Sequence, residues 1–150
     1  MKEAFGGVFS LMLVAVFLVL AIGLLGFVVS YTKAFKMKNA IISTIEEYEG
    51  AGCYPEGLKT GVAFENSACQ KKIYEEAQNL NYNPPAVICP TGFESGARDL
   101  YCYKISNESS GKVIFTVITR VDVGFALMKN IFGWSIFQVG GDTKAIKLRG

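Results

Sequence analysis

Four cysteines are the residues of this chain best suited to chemistry: Cys53, Cys69, Cys89 and Cys102. An even number of cysteines in a small domain behind a membrane-targeting segment is typical of two disulfides formed in an oxidising compartment. A zinc site with cysteine ligands is the alternative, but the 150 residues include no histidine and no C-x-x-C pair. The spacings of 16, 20 and 13 residues do not fit a zinc ribbon either. The sequence therefore predicts two disulfides and no metal site.

Four cysteines allow three pairings. We predict neighbour pairing. Cys53 with Cys69 would tie the end of a long helix to a second helix, and Cys89 with Cys102 would cross-link two adjacent strands. In the chain-entropy model, closing loops of this size contributes about 3 kcal/mol each.

Other catalytic constellations are missing from the sequence. Without histidine, the usual general base for a serine or cysteine nucleophile is absent. Gly140-Gly141-Asp142 lacks the strand–loop–helix context of a phosphate loop. Two carboxylate clusters fit solvated helix faces better than an acid–base pair: Glu46, Glu47 and Glu49, and Glu75 and Glu76. We predict a protein with no catalytic residue, cofactor or small-molecule substrate.

The remaining binding signals are weak. A net charge of +2 without a basic, aromatic-rich stripe argues against nucleic acid. Asn107-Glu108-Ser109 matches a glycosylation sequon, a triplet that is common by chance. Trp134 and the phenylalanines near it are interpreted as core, although Phe125 to Trp134 could equally form an exposed apolar contact surface.

A long apolar segment begins near the N-terminus. Val8 to Ser30 contains no charged residue and as a helix would be about 34 Å long, enough to cross a hydrocarbon core of about 30 Å. A cleaved signal would have a shorter apolar core, a basic start and a small-residue cleavage site. A buried helix of a soluble domain would be too large for the rest of the chain to cover. We therefore predict a retained single-pass membrane anchor.

The orientation of that anchor is contested by two signals. Lys33, Lys36 and Lys38 follow the span, whereas Lys2 and the amino terminus precede it. The positive-inside rule would place the C-terminal part in the cytoplasm. The cysteines favour the opposite side, and we give them priority. The expected location is the cell membrane with an extracytoplasmic C-terminal domain.

The helix is expected to continue beyond the membrane. Residues 31–49 contain no Pro or Gly, and an apolar stripe recurs at steps of three and four: Ala34, Met37, Ile41, Ile45 and Tyr48. Gly50-Ala51-Gly52 ends the pattern. One continuous rod of about 40 residues and about 60 Å is the simplest interpretation. A break near Ser30 is the alternative.

The rest of the chain predicts an antiparallel sheet with one helix. Asn66 or Ser67 would cap a helix over 68–80. Strands are expected at 86–89, 100–105, 113–123, 135–139 and 143–148, with a short apolar segment at 125–132. Gly140-Gly141 is either a tight hairpin or a bulge within one long strand. The predicted fold is α+β: residues 1–7 as leader or tail, 8–30 as transmembrane helix, 31–49 as amphipathic helix and 50–150 as a disulfide-stapled head.

This plan, a long N-terminal helix over 8–49 followed by a small head over 50–150, resembles that of the type IV pilin superfamily. The C-terminal stretch FTVITRVDVGFALMKNIFGWSIFQVGGDTKAIKL and the juxtamembrane stretch YTKAFKMKNAIISTIEEYE look like those of TadE-like minor pilins of tight-adherence systems. The resemblance covers the first 50 and the last 40 residues. It implies a pilin-like lollipop whose apolar helix bundles with other pilin-like subunits, guided by pilus assembly machinery.

The resemblance also implies a processing site and a packing surface. Cleavage between Gly7 and Val8 would place Met12 where pilins carry a glutamate, a departure that favours a minor subunit over a major one. Within a bilayer, helices associate through small residues, and Ala15, Ala21, Gly23 and Gly26 are where neighbouring subunits could approach. The equal alternative is that glycines are simply common in membrane helices. The main alternative is a bitopic surface protein whose head binds a ligand or partner without filament assembly, and a membrane-tethered enzyme is a more distant one.

Overall fold

The computed structural model describes residues 2–55, 63–84, 88–108, 111–122 and 136–148. One helix, α1 (Lys2–Glu47), occupies 46 residues without interruption, so the break considered near Ser30 does not occur. At 1.5 Å per residue it is about 69 Å long. A second helix, α2 (Ala68–Asn79), follows a short 3-10 turn at Phe64–Asn66. Ser67 is its N-cap and accepts a hydrogen bond from the Gln70 N–H.

Five antiparallel strands follow in the described part of the chain: β1 (Glu94–Ser95), β2 (Cys102–Glu108), β3 (Lys112–Asp122), β4 (Ile136–Asp142) and β5 (Ile146–Lys147). The sheet order is β1-β2-β3-β4, and β5 also pairs with β3. The structure thus has a long apolar N-terminal helix and a small antiparallel sheet with two disulfides.

The C-terminal half of α1 lies against this sheet. Ala34, Met37, Ile41 and Ile45 are 0–1% exposed, and Tyr48 is partly buried at the end of the same stripe. Alternate residues of β3 cover them from the other side: Phe115, Val117 and Val121. Apolar side chains recur about every 3.6 residues on the helix and every second residue on the strand, so each element presents one apolar face and the two faces form a shared core. The predicted amphipathic stripe is confirmed as the surface that docks the helix.

The strand predicted at 86–89 is wrong. Ile88 and Cys89 lie in no strand, and Ala86 and Val87 are outside the described residues. Prolines flank this stretch, and proline cannot donate a ladder hydrogen bond. On its edge away from β3, β2 pairs instead with the two-residue β1. The Cys89–Cys102 disulfide therefore joins a loop to a strand rather than two strands.

Of the two interpretations of Gly140-Gly141, a tight hairpin and a bulge within one long strand, the hairpin does not occur. Both glycines lie inside β4 and pair with β3. The irregularity comes just after them. Asp142 pairs with Thr116, and Ile146 pairs with Val113. Between these two pairs the chain advances four residues from 142 to 146 but only three residues along β3, from 116 to 113. One extra residue is a β-bulge within what is otherwise one long strand. Thr143 repairs the ladder there, because its N–H donates to the Phe115 carbonyl and its hydroxyl accepts from the Phe115 N–H.

The segment predicted at 125–132, and the surface Phe125 to Trp134, lie outside the described residues. The same is true of the first residue of the strand predicted at 135–139.

Candidate functional site

The N-terminal half of α1 has no cover from the head. Apolar side chains from Phe5 to Val29 are exposed along it, Phe5 by 83% and Phe17 by 70%. Only 6% of its most apolar 18-residue stretch is buried. By length and composition this helix can cross a membrane. A core helix of a soluble domain would be largely buried, so the exposed surface needs an apolar surrounding from outside the chain.

The four predicted packing residues fall on different parts of this helix. Ala15 and Gly26 are exposed, Ala21 is partly buried and Gly23 is buried. A Cβ placed on Gly26 would meet nothing within 4 Å. The fold of the single chain therefore does not require glycine at Gly26.

The predicted processing site lies inside the helix. Gly7 and Val8 are exposed residues of α1, which begins at Lys2. Gly6 and Gly7 both have free space around the Cβ position. Their role in processing stays a prediction.

Aromatic contacts mark the point where α1 leaves the head. The rings of Phe27 and Phe137 meet edge to face with centroids 5.2 Å apart, and Tyr31 lies 6.2 Å from Phe27. The next turns carry the three lysines that follow the predicted span. Lys33 is partly buried, Lys36 is exposed and Lys38 lies over the Phe35 ring at 4.4 Å. The lysines therefore have three different environments.

The two disulfides are the pairs that the sequence predicts. Cys53 is bonded to Cys69 and Cys89 to Cys102, with Cα atoms 5.3 and 5.7 Å apart. No cysteine is free. All four thiols are therefore used in cross-links.

A buried polar network surrounds the first disulfide. The Ser67 hydroxyl donates to the Gly52 carbonyl at 2.6 Å. Gln70 donates from Nε2 to the Cys53 carbonyl at 3.1 Å, and its amide also bonds the Tyr101 hydroxyl. This network joins the loop after α1, the first turn of α2 and the start of β2. Its hydrogen bonds and the disulfide hold the end of α1 to the head.

The carboxylate clusters have structural contacts. Glu46 accepts a hydrogen bond from the Lys144 N–H at 2.9 Å, and Glu47 forms an ion pair with Lys72. Among the residues that the structure describes, no group of three His, Cys, Asp or Glu could hold a metal ion. These contacts explain the acidic end of α1 through helix–sheet and helix–helix attachment.

The described part of the head has open depressions on its surface, two of which have volumes of about 420 Å³ or more. One of about 560 Å³ lies between the end of α1 and β5, lined by Glu46, Glu49 and Lys147 among others. Another of about 420 Å³ is lined by Tyr54, Glu94 and Tyr103 among others. In the second, the Tyr103 hydroxyl donates to Glu94 at 2.8 Å. Both combine charged and apolar side chains at the surface.

Sequence reasoning missed Arg120 and Tyr82. The Tyr82 hydroxyl donates to the Arg120 carbonyl and accepts from the Arg120 N–H, both at 2.9 Å. Since the pairing of β2 with β3 ends at Ile118, Tyr82 satisfies the backbone of β3 beyond that point. The one available signal was a lone arginine within the β-branched run VITRVDV.

Comparison with protein-family models, with curated proteins and with solved structures gives no match to this chain.

Proposed function

We propose that this chain is a non-catalytic minor pilin or pseudopilin, anchored in the cell membrane through α1 and assembling through the same helix into a tight-adherence or type IV-like filament or secretion apparatus. The observation that carries the proposal is the division of α1. Its N-terminal half is apolar and exposed, while its C-terminal half is built into the core of a small sheet. This division is compatible with the layout of the pilin superfamily that the sequence resembles, a long helix followed by a small head.

The two disulfides support an extracytoplasmic head. Both are intramolecular and leave no thiol in the domain. Disulfides persist in oxidising spaces and are rare in the cytosol. With the head outside, the lysines that follow the predicted span lie at the outer surface of the membrane.

The exposed half of α1 supports assembly as well as anchoring. In a bilayer, lipid tails are as apolar as leucine, so association depends on close packing at small residues. Gly26 is exposed and its surroundings are open. A neighbouring helix could therefore approach the backbone at Gly26 without displacing any group of this chain.

Site-specific photo-cross-linking tests the proposal. A photoreactive phenylalanine analogue at Phe17, which is 70% exposed, is expected to yield cross-links to a second copy or to other pilin-like subunits in cells carrying the assembly machinery. The matched control is the analogue at Lys147, an exposed position on β5. Sheared filaments should contain the chain, and N-terminal sequencing should find a mature protein that begins at Val8.

Variants of the packing surface sharpen the same test. Gly26→Leu is expected to reduce cross-linking from Phe17, whereas Val28→Leu, at a residue 55% exposed, should leave it unchanged. Cross-links to nothing but lipid, with the chain monomeric in membranes, would contradict assembly and favour the alternative of a bitopic surface protein. That alternative would place its ligand or partner on the head, and the depression beside Tyr103 is where we would search for it.

A further inference from the structure

A small cavity lies where the predicted membrane span ends and the head begins. It has a volume of about 140 Å³, and its lining includes Ser30, Lys33, Tyr82 and Arg120. Ser30 is the last residue of the predicted span, and Lys33 is less than one turn further on. The cavity is thus at the level of the lipid headgroups wherever α1 crosses a bilayer.

The charged residues that the structure describes in the lining of this cavity are of one sign. Among the described residues that line it, Lys33 and Arg120 are cations and none is an acid. The others are two asparagines, a serine, a tyrosine and a proline. Two cations that share a small cavity repel each other, so an anion between them would be stabilised by both.

Arg120 is the unusual residue of the set. It is 7% exposed, and its Nε is buried without a hydrogen-bond partner. Burying a charged donor without an acceptor is costly, and such groups in native proteins are normally paired. Its backbone is fully engaged by the Tyr82 hydroxyl. The strand is therefore fixed in place while the Nε of the guanidinium lacks an acceptor.

We propose that this cavity binds the phosphate of a phospholipid headgroup, with Arg120 and Lys33 as its cationic ligands. Guanidinium is well suited to phosphate, because its fork of N–H donors matches two phosphate oxygens. Lys33 adds a point charge from the helix, and Ser30 adds a hydroxyl donor. The lipid source follows from the position at the end of the span and so rests on the membrane anchoring proposed above. The anion chemistry rests on the cavity alone.

Thermal unfolding of the full-length, delipidated chain in neutral detergent tests this site. Dihexanoylphosphatidylglycerol is expected to raise the Tm of the wild type, whereas dihexanoylglycerol, which lacks the phosphate, should not. Arg120→Gln should weaken the binding by about tenfold or more, the scale of a charge-assisted hydrogen bond. Lys33→Gln, at a partly buried residue on the helix surface, keeps the test valid if the arginine variant does not fold. The matched control is Lys36→Gln, exposed on the same helix.

Each outcome decides one part of the proposal. A shift with inorganic phosphate at matched ionic strength as large as that with the lipid would overturn the lipid source. No shift with either ligand, or equal binding by Lys33→Gln and Lys36→Gln, would overturn the site itself. Binding in detergent needs no assembly. If the chain binds the lipid but forms no cross-links in cells, that result would therefore contradict the filament role and leave the lipid site standing.

Discussion

Gly96 and Tyr101 are in direct contact across the turn between β1 and β2. A Cβ added at Gly96 would lie 2.3 Å from ring carbons of Tyr101, and the Gly96 N–H donates to the Tyr101 carbonyl at 2.8 Å. Tyr101 is itself 1% exposed and bonded to Gln70. The ring has no free space to move into, so the glycine is required by packing rather than by its backbone angles.

Replacement of this glycine should therefore destabilise the head. We expect Gly96→Ala to cost about 1–3 kcal/mol, the usual range for overpacking. Gly140→Ala is the matched control, because its Cβ would find neighbours at an ordinary 3.8 Å. It should change stability by about 0.5 kcal/mol or less. Thermal unfolding followed by circular dichroism measures both, and equal Tm values for the two variants would contradict the packing argument.

The docking of α1 onto the sheet should depend on its buried stripe. Met37→Ala removes a side chain that is 0% exposed, and we expect a loss of about 2–5 kcal/mol. Phe35→Ala removes a larger side chain two residues away that is 42% exposed, and should cost less. Urea unfolding of the full chain in detergent gives the two free energies. A larger loss for Phe35→Ala would mean that the helix docks through a different face.

Alkaline pH should weaken the head through two buried tyrosines. Burial raises the pKa of Tyr82 to about 12, although its hydrogen bond with the Arg120 backbone and the positive charge of Arg120 act to lower that pKa. Burial likewise raises the pKa of Tyr101, opposed in part by its hydrogen bond to Gln70. An unfolded tyrosine has a pKa of about 10. Stability is therefore fully present below about pH 10 and falls as the pH rises from there toward 12, by up to about 1.4 kcal/mol per pH unit for each tyrosine.

Urea unfolding at a series of pH values from about 8 to 11 measures this slope, and tyrosinate absorbance identifies the groups that ionise on unfolding. Tyr82→Phe should remove the share of the slope that belongs to Tyr82. A free energy of unfolding that stays constant to about pH 11 would contradict the assignment.

The disulfide beside α2 should contribute substantially to the stability of the head. Cys53→Ser with Cys69→Ser opens a closure of 16 residues and should cost about 3 kcal/mol. The companion variant Cys89→Ser with Cys102→Ser opens one of 13 residues and should cost a similar amount by chain entropy alone. Labelling of thiols with and without reductant provides the direct check. Four labelled thiols in the untreated wild type would contradict both cross-links.

The elements with a strong local pattern were predictable from the sequence. The stripe on α1 follows from its period of three and four residues, β3 from its alternation of β-branched side chains, and Ser67 from its place before a helical run. Each disulfide also joins two cysteines that are consecutive along the chain. In each of these, the deciding information lies within a short window.

Features decided by distant partners were not predictable. β1 consists of Glu94 and Ser95, neither a strong strand former, and exists because β2 pairs with it. The bulge comes after Gly140-Gly141 rather than at it, since the hydroxyl of Thr143 replaces a ladder partner of Phe115. The cavity at Arg120 needed residues from α1, the loop after α2 and β3 to be brought together, which no spacing along the chain reveals.

The unbroken course of α1 has a mechanical consequence. Between Ser30 and the last turn at Glu47 the helix runs about 26 Å, locked to β3 along its buried stripe. Membrane helices tilt by about 20° on average, and with no hinge in α1 a tilt of that size would swing the far end of the head sideways by about 9 Å. Bilayer thickness or a neighbouring helix would thereby set how far the head lies to one side of the point where α1 leaves the membrane.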